Sequence, residues 1–287
     1  MTSISWNTMP MPDLRTRATT APLPRLLRSE LRWVFRRPRT LIALGLLGLV
    51  PIVIAIGVRL AAPTVDPSGL LGPLVSNGLA LPIVSLLLTL ALLLPLVASM
   101  SAADAVSGEA SYGTLRGLLL APVGRVRLFW VKAFGVLAVT FSAAAIIAVV
   151  GVISGLIALG SHGMLTLSGT TLGLGAAVGR VAIALAWVTV QAFAVAAIAL
   201  AISTFTEHPL VVMAVALAGV IVFNVLEQIS SLSWLQPYLI THSWPAVADL
   251  LRDPVPTTSL WEGLGRAGCY IAIGLGVAAA KLSVKDG

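Results

Sequence analysis

Residues 105–132, AVSGEASYGTLRGLLLAPVGRVRLFWVK, decide how this chain is read. The stretch carries Glu109, Arg116, Arg125, Arg127 and Lys132 in a sequence that is otherwise almost continuously apolar, and it separates two segments long enough to cross a bilayer. Its local pattern predicts a short helix over 114–121, started by Thr114 as N-cap and stopped by Pro122. Leu115, Leu118 and Leu119 fall at i, i+3 and i+4 and so share one face of that helix. A small apolar face at a membrane surface calls for something to press against.

Composition sets the class. Hydrophobic residues make up 58% of the 287 and charged residues only 10%, against roughly 25% charged in a soluble domain. The chain is therefore an integral membrane protein. Its net charge of +7 is gathered in clusters: eight arginines from Arg15 to Arg39, four basic residues in the stretch above, then Lys281 and Lys285. Such clusters mark the cytoplasmic side of a membrane protein, and they do not form the single basic face that nucleic acid requires. One cysteine, Cys269, permits no internal disulfide.

Outward from the stretch, the chain divides by hydropathy. Residues 1–24, rich in Thr, Pro and Arg, predict a disordered cytoplasmic tail. Over 25–39, Leu26, Leu27, Leu31, Val34 and Phe35 interleave with Arg28, Arg32, Arg36 and Arg37, which predicts an amphipathic helix in the headgroup layer. A twin-arginine export signal is the alternative at Arg36–Arg37, but the apolar run is too long and further spans follow. A membrane domain over 40–282 then holds six predicted spans, at 40–60, 74–100, 128–159, 176–204, 210–226 and 264–282. Pro51 predicts a kink in the first; the second carries Pro82 and Pro95.

Phe129 and Trp130 read as an interfacial anchor of the third span, and Gly151/Gly155 and Gly175/Gly179 as small-residue faces for close helix contact, within the core or between chains. A cytoplasmic segment, 104–127, follows the second span, and a tight turn lies at 205–209. Residues 227–262 are too polar to span. Their Trp234, Tyr238, Trp244 and Trp261 predict two short external helices, interfacial or re-entrant.

Glu109, Gly113–Thr114–Leu115, Leu118–Leu119, Pro122, Arg125 and Lys132 resemble the E…GTL…LL…P…R…K pattern that follows the second span in permeases of the ABC-2 transporter family. The six-span layout, with both termini cytoplasmic, an N-terminal interfacial helix and external helices after the fifth span, is similar too. The resemblance implies that Glu109, Gly113, Thr114, Leu115, Leu118, Leu119, Pro122 and Arg125 form a coupling helix for a separate ATPase subunit. It also implies two ATPase copies, a second permease chain (the same or a related one) and a place in the cell membrane. ATP and Mg would sit on the ATPase, with no cofactor on this chain.

The chain's own chemistry agrees with that division of labour. No G-x-x-x-x-G-K-[ST] loop occurs, so nucleotide hydrolysis by that mechanism belongs elsewhere. No catalytic or metal site is expected either, since H-E-x-x-H is absent and His162, His208 and His242 all fall in links. The middle of each predicted span lacks charge, and Arg59, Asp104, Arg180 and Glu227 sit near span ends, where snorkelling or interfacial solvation accounts for them. A proton- or ion-coupled carrier usually needs central charge or a broken helix; this chain offers prolines but no central charge. The expected function is therefore an ATP-driven exporter subunit, moving a hydrophobic or amphipathic compound (drug-like or lipid) from the cytoplasm or inner leaflet. Trp187, Thr189, Gln191, Asn224 and Glu227 are the expected polar points along its path, with Asn224 placed to share hydrogen bonding with Glu227. An ATPase-independent carrier or channel, or a membrane enzyme or assembly scaffold, is the alternative.

Overall fold

The computed structural model describes residues 23–61, 78–111, 125–160 and 163–284. The described residues are almost all helical, and five helices are long and apolar enough to cross a membrane, or six if one bent pair counts as a single span. In order they are α1 (Leu23–Val34), α2 (Pro38–Ala61), α3 (Leu81–Leu90), α4 (Leu93–Ser111), α5 (Arg125–Leu159), α6 (Leu174–Ser203), α7 (Pro209–Glu227) and α8 (Thr258–Val284). A two-stranded antiparallel hairpin, β1 (Met164–Leu165) with β2 (Thr171–Leu172), joins α5 to α6. Three 3-10 helices, Ser230–Leu232, Gln236–Tyr238 and Ile240–Leu251, join α7 to α8.

Prolines set several boundaries. The amphipathic helix stops at Val34, short of residue 39, because Pro38 disfavours helical geometry at Arg37 and then opens α2. Helix α2 runs through the buried Pro51 as one element. The stretch expected as one span at 74–100 is instead two helices, bent by 56° where α3 meets α4. Pro95 explains the break: it offers no N–H to the Ala91 carbonyl, and its ring would collide with that carbonyl in a continuous helix. Pairing resumes with Leu96 N–H on Leu92 O. Helix α4 then continues past Asp104 to Ser111.

The core is built around α3, α4 and α6. Leu81, Ile83, Leu86 and Leu90 of α3 are fully buried, and two-thirds (67%) of the most apolar window of α6 is buried, against 17% for α7. Gly151 and Gly155 bring α5 onto the start of α3: a Cβ on Gly151 would stand 2.8 Å from Pro82 Cα, and one on Gly155 would strike the Gly78 carbonyl. Gly175 and Gly179 have the same spacing but no neighbour within 4 Å. Phe129 and Trp130 divide: Phe129 is buried in the core and only Trp130 faces outward.

The segment 227–262 also differs from two surface helices. Ile240, Trp244, Val247, Leu250 and Leu251 of the long 3-10 helix lie in the same core cluster as α3 and α6. Only Trp234, Tyr238 and Trp261 remain outside as exposed aromatics. The apolar stripe of this helix is thus consumed by the protein rather than offered to the bilayer surface.

Candidate functional site: the charged end of the bundle

Helix α1 lies across one end of the bundle. Its polar side chains reach the two helices between which residues 112–124 run. The single acidic residue of α1, Glu30, receives two hydrogen bonds from Lys132 Nζ of α5, at 2.9 and 3.0 Å. Both side chains are nearly buried, at 10% and 7% exposed. Gly135, one turn further along α5, makes the room: a Cβ there would meet Glu30 Cγ at 3.0 Å. Lys132 Nζ also stands 4.4 Å above the Trp33 ring, and the Arg37 guanidinium stacks 3.3 Å from the same ring.

A second pairing binds the α1–α2 corner to α4. Asp104 takes Arg37 on one carboxylate oxygen at 3.5 Å and Arg39 on the other at 3.4 Å. Arg39 also reaches Met213 Sδ of α7 at 3.2 Å. Ser107, one turn beyond Asp104, donates to the Ser203 and Thr206 carbonyls at the α6–α7 turn. Lys281 of α8 lies over the Phe205 ring of that turn. One end of the molecule therefore collects α1, the close of α4, the start of α5, the 205–209 turn and the close of α8.

Such an arrangement ties separate helices together. A buried ion pair is a rigid joint, since separating its partners strands a charge in a poorly solvating place. Helices α4 and α5 are each paired with the α1–α2 corner, α5 through Lys132–Glu30 and α4 through Asp104 with Arg37 and Arg39.

Of the expected coupling residues, Gly113, Thr114, Leu115, Leu118, Leu119 and Pro122 lie outside the described residues. Glu109 falls in the last turn of α4, and Arg125 is the first residue of α5. Asp104 departs from the expected solvation by its surroundings: it is held by arginines of the protein. Sequence reasoning passed over Glu30. Its signal was there, as the lone acid in a helix of arginines.

The expected path residues fall into two groups. Trp187 Nε1 donates to Leu260 O and Gln191 Nε2 to Gly263 O, both at 3.0 Å, so this pair fastens α6 to the first turns of α8. Gln191 Oε1 is left buried without a hydrogen-bond partner. Thr189 returns its hydroxyl to Leu185 O within α6. Asn224 donates to Val220 O instead of sharing bonds with Glu227. Glu227 instead closes α7 onto the segment that follows: Thr241 Oγ1 donates to Oε2 at 2.9 Å, and His242 Nδ1 pairs with Oε1. Its environment is a set of specific protein partners rather than open solvent.

Arg180 likewise departs from snorkelling. It donates to the Leu250 and Arg252 carbonyls and pairs with Asp253 at 2.9 Å. Arg59 stands 3.5 Å from the Ala158 carbonyl.

A protein-family model described as "ABC-2 family transporter protein" matches residues 26–223, which run from α1 through the charged end and most of α7. No curated protein matches the chain.

Proposed function

The chain belongs to the ABC-2 family of transporter membrane proteins, and from that premise we propose that it is the permease subunit of an exporter driven by a separate ATPase. In this reading residues 104–127 face the cytoplasm and the apolar face of Leu115, Leu118 and Leu119 seats in the ATPase, with Glu109 and Arg125 flanking it. ATP-driven closure of two ATPase copies then pulls on α4 and α5. The observation that supports the reading most is the pinning of both helices to the α1–α2 corner, through Lys132–Glu30 and through Asp104 with Arg37 and Arg39. A segment free of such joints would move without moving the bundle.

The working unit is a pair of permeases, identical or related, in the cell membrane with both termini cytoplasmic. Helices α2 and α7 are the faces offered to the second chain. Only 28% and 17% of their most apolar windows are buried within one chain, and α7 turns Leu210, Val211, Val215, Ile221, Val222 and Val225 outward. Cysteines introduced along the outward face of α7, at the end near Glu227, are expected to cross-link between chains.

The cargo is a hydrophobic or amphipathic compound, drug-like or lipid, drawn partly from the bilayer. A charged solute would find no counter-charge at mid-membrane, and inserting such a charge costs at least ~2.5–3.5 kcal/mol. The test is the ATPase activity of the reconstituted complex over a panel of compounds. Stimulation by lipophilic amphiphiles is the expected result; stimulation by sugars or inorganic ions, with amphiphiles inert, overturns the cargo class.

A further inference from the structure

Two features outside the transport reading meet at the α1–α2 corner. The first is a row of arginines. Arg25, Arg28 and Arg32 recur along one side of α1, Arg36 follows in the turn just beyond it, and all four are exposed; among the described residues no acidic side chain pairs with Arg28, Arg32 or Arg36. Neighbouring Arg37 and Arg39, by contrast, are spent on Asp104. The second is an apolar groove of about 490 Å3 between α2 and α5, open at the surface and lined by Phe35, Leu44, Phe141, Ala145, Ile146 and Val149 among others.

The two features are continuous. Phe35, at the top of the groove, follows Arg32 by three residues and Arg28 by seven, so at helical spacing all three share a side. Its N–H bonds Leu31 O, which keeps it in helical register with α1. From Phe141 to Val150 the groove follows α5 for ten residues, a rise of about 13 Å over nine steps of 1.5 Å. That is close to one leaflet of a hydrocarbon layer ~30 Å thick. A cationic row above an apolar slot about one leaflet long matches a single molecular class.

We propose that the α1–α2–α5 corner is a binding site for one anionic phospholipid, its phosphate on the Arg28–Arg32–Arg36 row and an acyl chain in the groove beneath Phe35. This bound lipid is a resident ligand and needs no assumption about cargo or ATPase. It orients α1 against the membrane while Glu30, on the other side of α1, holds Lys132.

The experiment is native mass spectrometry of the purified full-length chain after delipidation and exposure to micelles carrying phosphatidylglycerol or phosphatidylcholine. Wild type is expected to retain one phosphatidylglycerol in preference to phosphatidylcholine. Two variants attack the halves separately: Arg28→Gln/Arg32→Gln/Arg36→Gln removes the charge, and Ala145→Trp fills the groove. The arginine variant should weaken phosphatidylglycerol retention by about tenfold or more, given the gain of several-fold per basic residue near an anionic headgroup, and Ala145→Trp should weaken it by closing the acyl slot. Circular dichroism and monodispersity report that the variants stay folded. A chainless competitor, glycerol phosphate, should fail to displace the lipid. Equal retention of both lipids by wild type overturns the proposal. So does full retention in folded Ala145→Trp, because the arginines would then be gathering surface lipid without the groove.

Discussion

At the end of the bundle that carries α1, charged side chains far apart in sequence grip one another: Lys132 holds Glu30, and Arg37 and Arg39 hold Asp104. At the opposite end, side-chain pairs such as Arg180–Asp253 and Glu227–His242 are joined by a set of bonds to backbone. Arg180 caps the Leu250 and Arg252 carbonyls, Leu167 N–H bonds Leu251 O, and Trp187 and Gln191 bond carbonyls at the start of α8. The hairpin and the 3-10 helix close that end as a cap, with Met164 and Ile240 fully buried. The difference teaches where motion is to be expected. Backbone capping fixes the path of a chain segment, whereas ion pairs between helices tie separate rods to one another and carry a load between them.

The largest expected effect strikes the charged end. Lys132→Met leaves Glu30 buried without its ammonium partner and should cost about 3–5 kcal/mol, read as a large drop in thermal unfolding temperature in detergent. Adding Glu30→Leu should recover most of the loss, because two apolar groups replace a buried pair at little net cost. Failure of the double variant to recover would mean that the pair is not the joint it is taken to be. Next comes Gly155→Leu, which drives a side chain into the Gly78 carbonyl at the α3–α5 contact and should cost about 1–3 kcal/mol. Asp253→Asn at the capped end should cost only about 0–1 kcal/mol: the carboxylate is 36% exposed, and Arg180 keeps its two carbonyls. An effect of Asp253→Asn as large as that of Lys132→Met would erase the contrast between the ends. Smallest is Gly179→Leu, which meets nothing within 4 Å and should change the stability of the single chain by no more than about 0.5 kcal/mol.

The glycines show how far sequence reaches. Gly151/Gly155 and Gly175/Gly179 are the same motif on paper, yet one pair receives α3 and the other faces outward; spacing gives the opportunity for contact and only the fold supplies the neighbour. The membrane class and most span positions were legible, because a long apolar run has few other fates in water. The break between α3 and α4 was half legible. Pro82 and Pro95 were visible, but Pro82 sits harmlessly in a first turn while Pro95 interrupts a run. Glu30–Lys132 spans 102 residues, and no local pattern links them. Trp244 read as a surface aromatic by its polar neighbourhood, whereas Ile240, Val247 and Leu251 bring it into the core. The expected coupling stretch rests on a motif alone, the order and spacing of Glu109, Gly113–Leu115, Leu118–Leu119, Pro122 and Arg125, most of which lie outside the described residues.

The central claim, that residues 112–124 are where an ATPase grips this permease, is tested most directly by purifying the tagged chain from its own membranes. The wild-type protein is compared with a Leu118→Glu/Leu119→Glu variant. Wild type is expected to carry a second polypeptide and Mg-dependent ATPase activity. The variant is expected to elute as a folded, monodisperse membrane protein stripped of both. An equal yield of the second polypeptide and equal ATPase activity from the variant would contradict the claim.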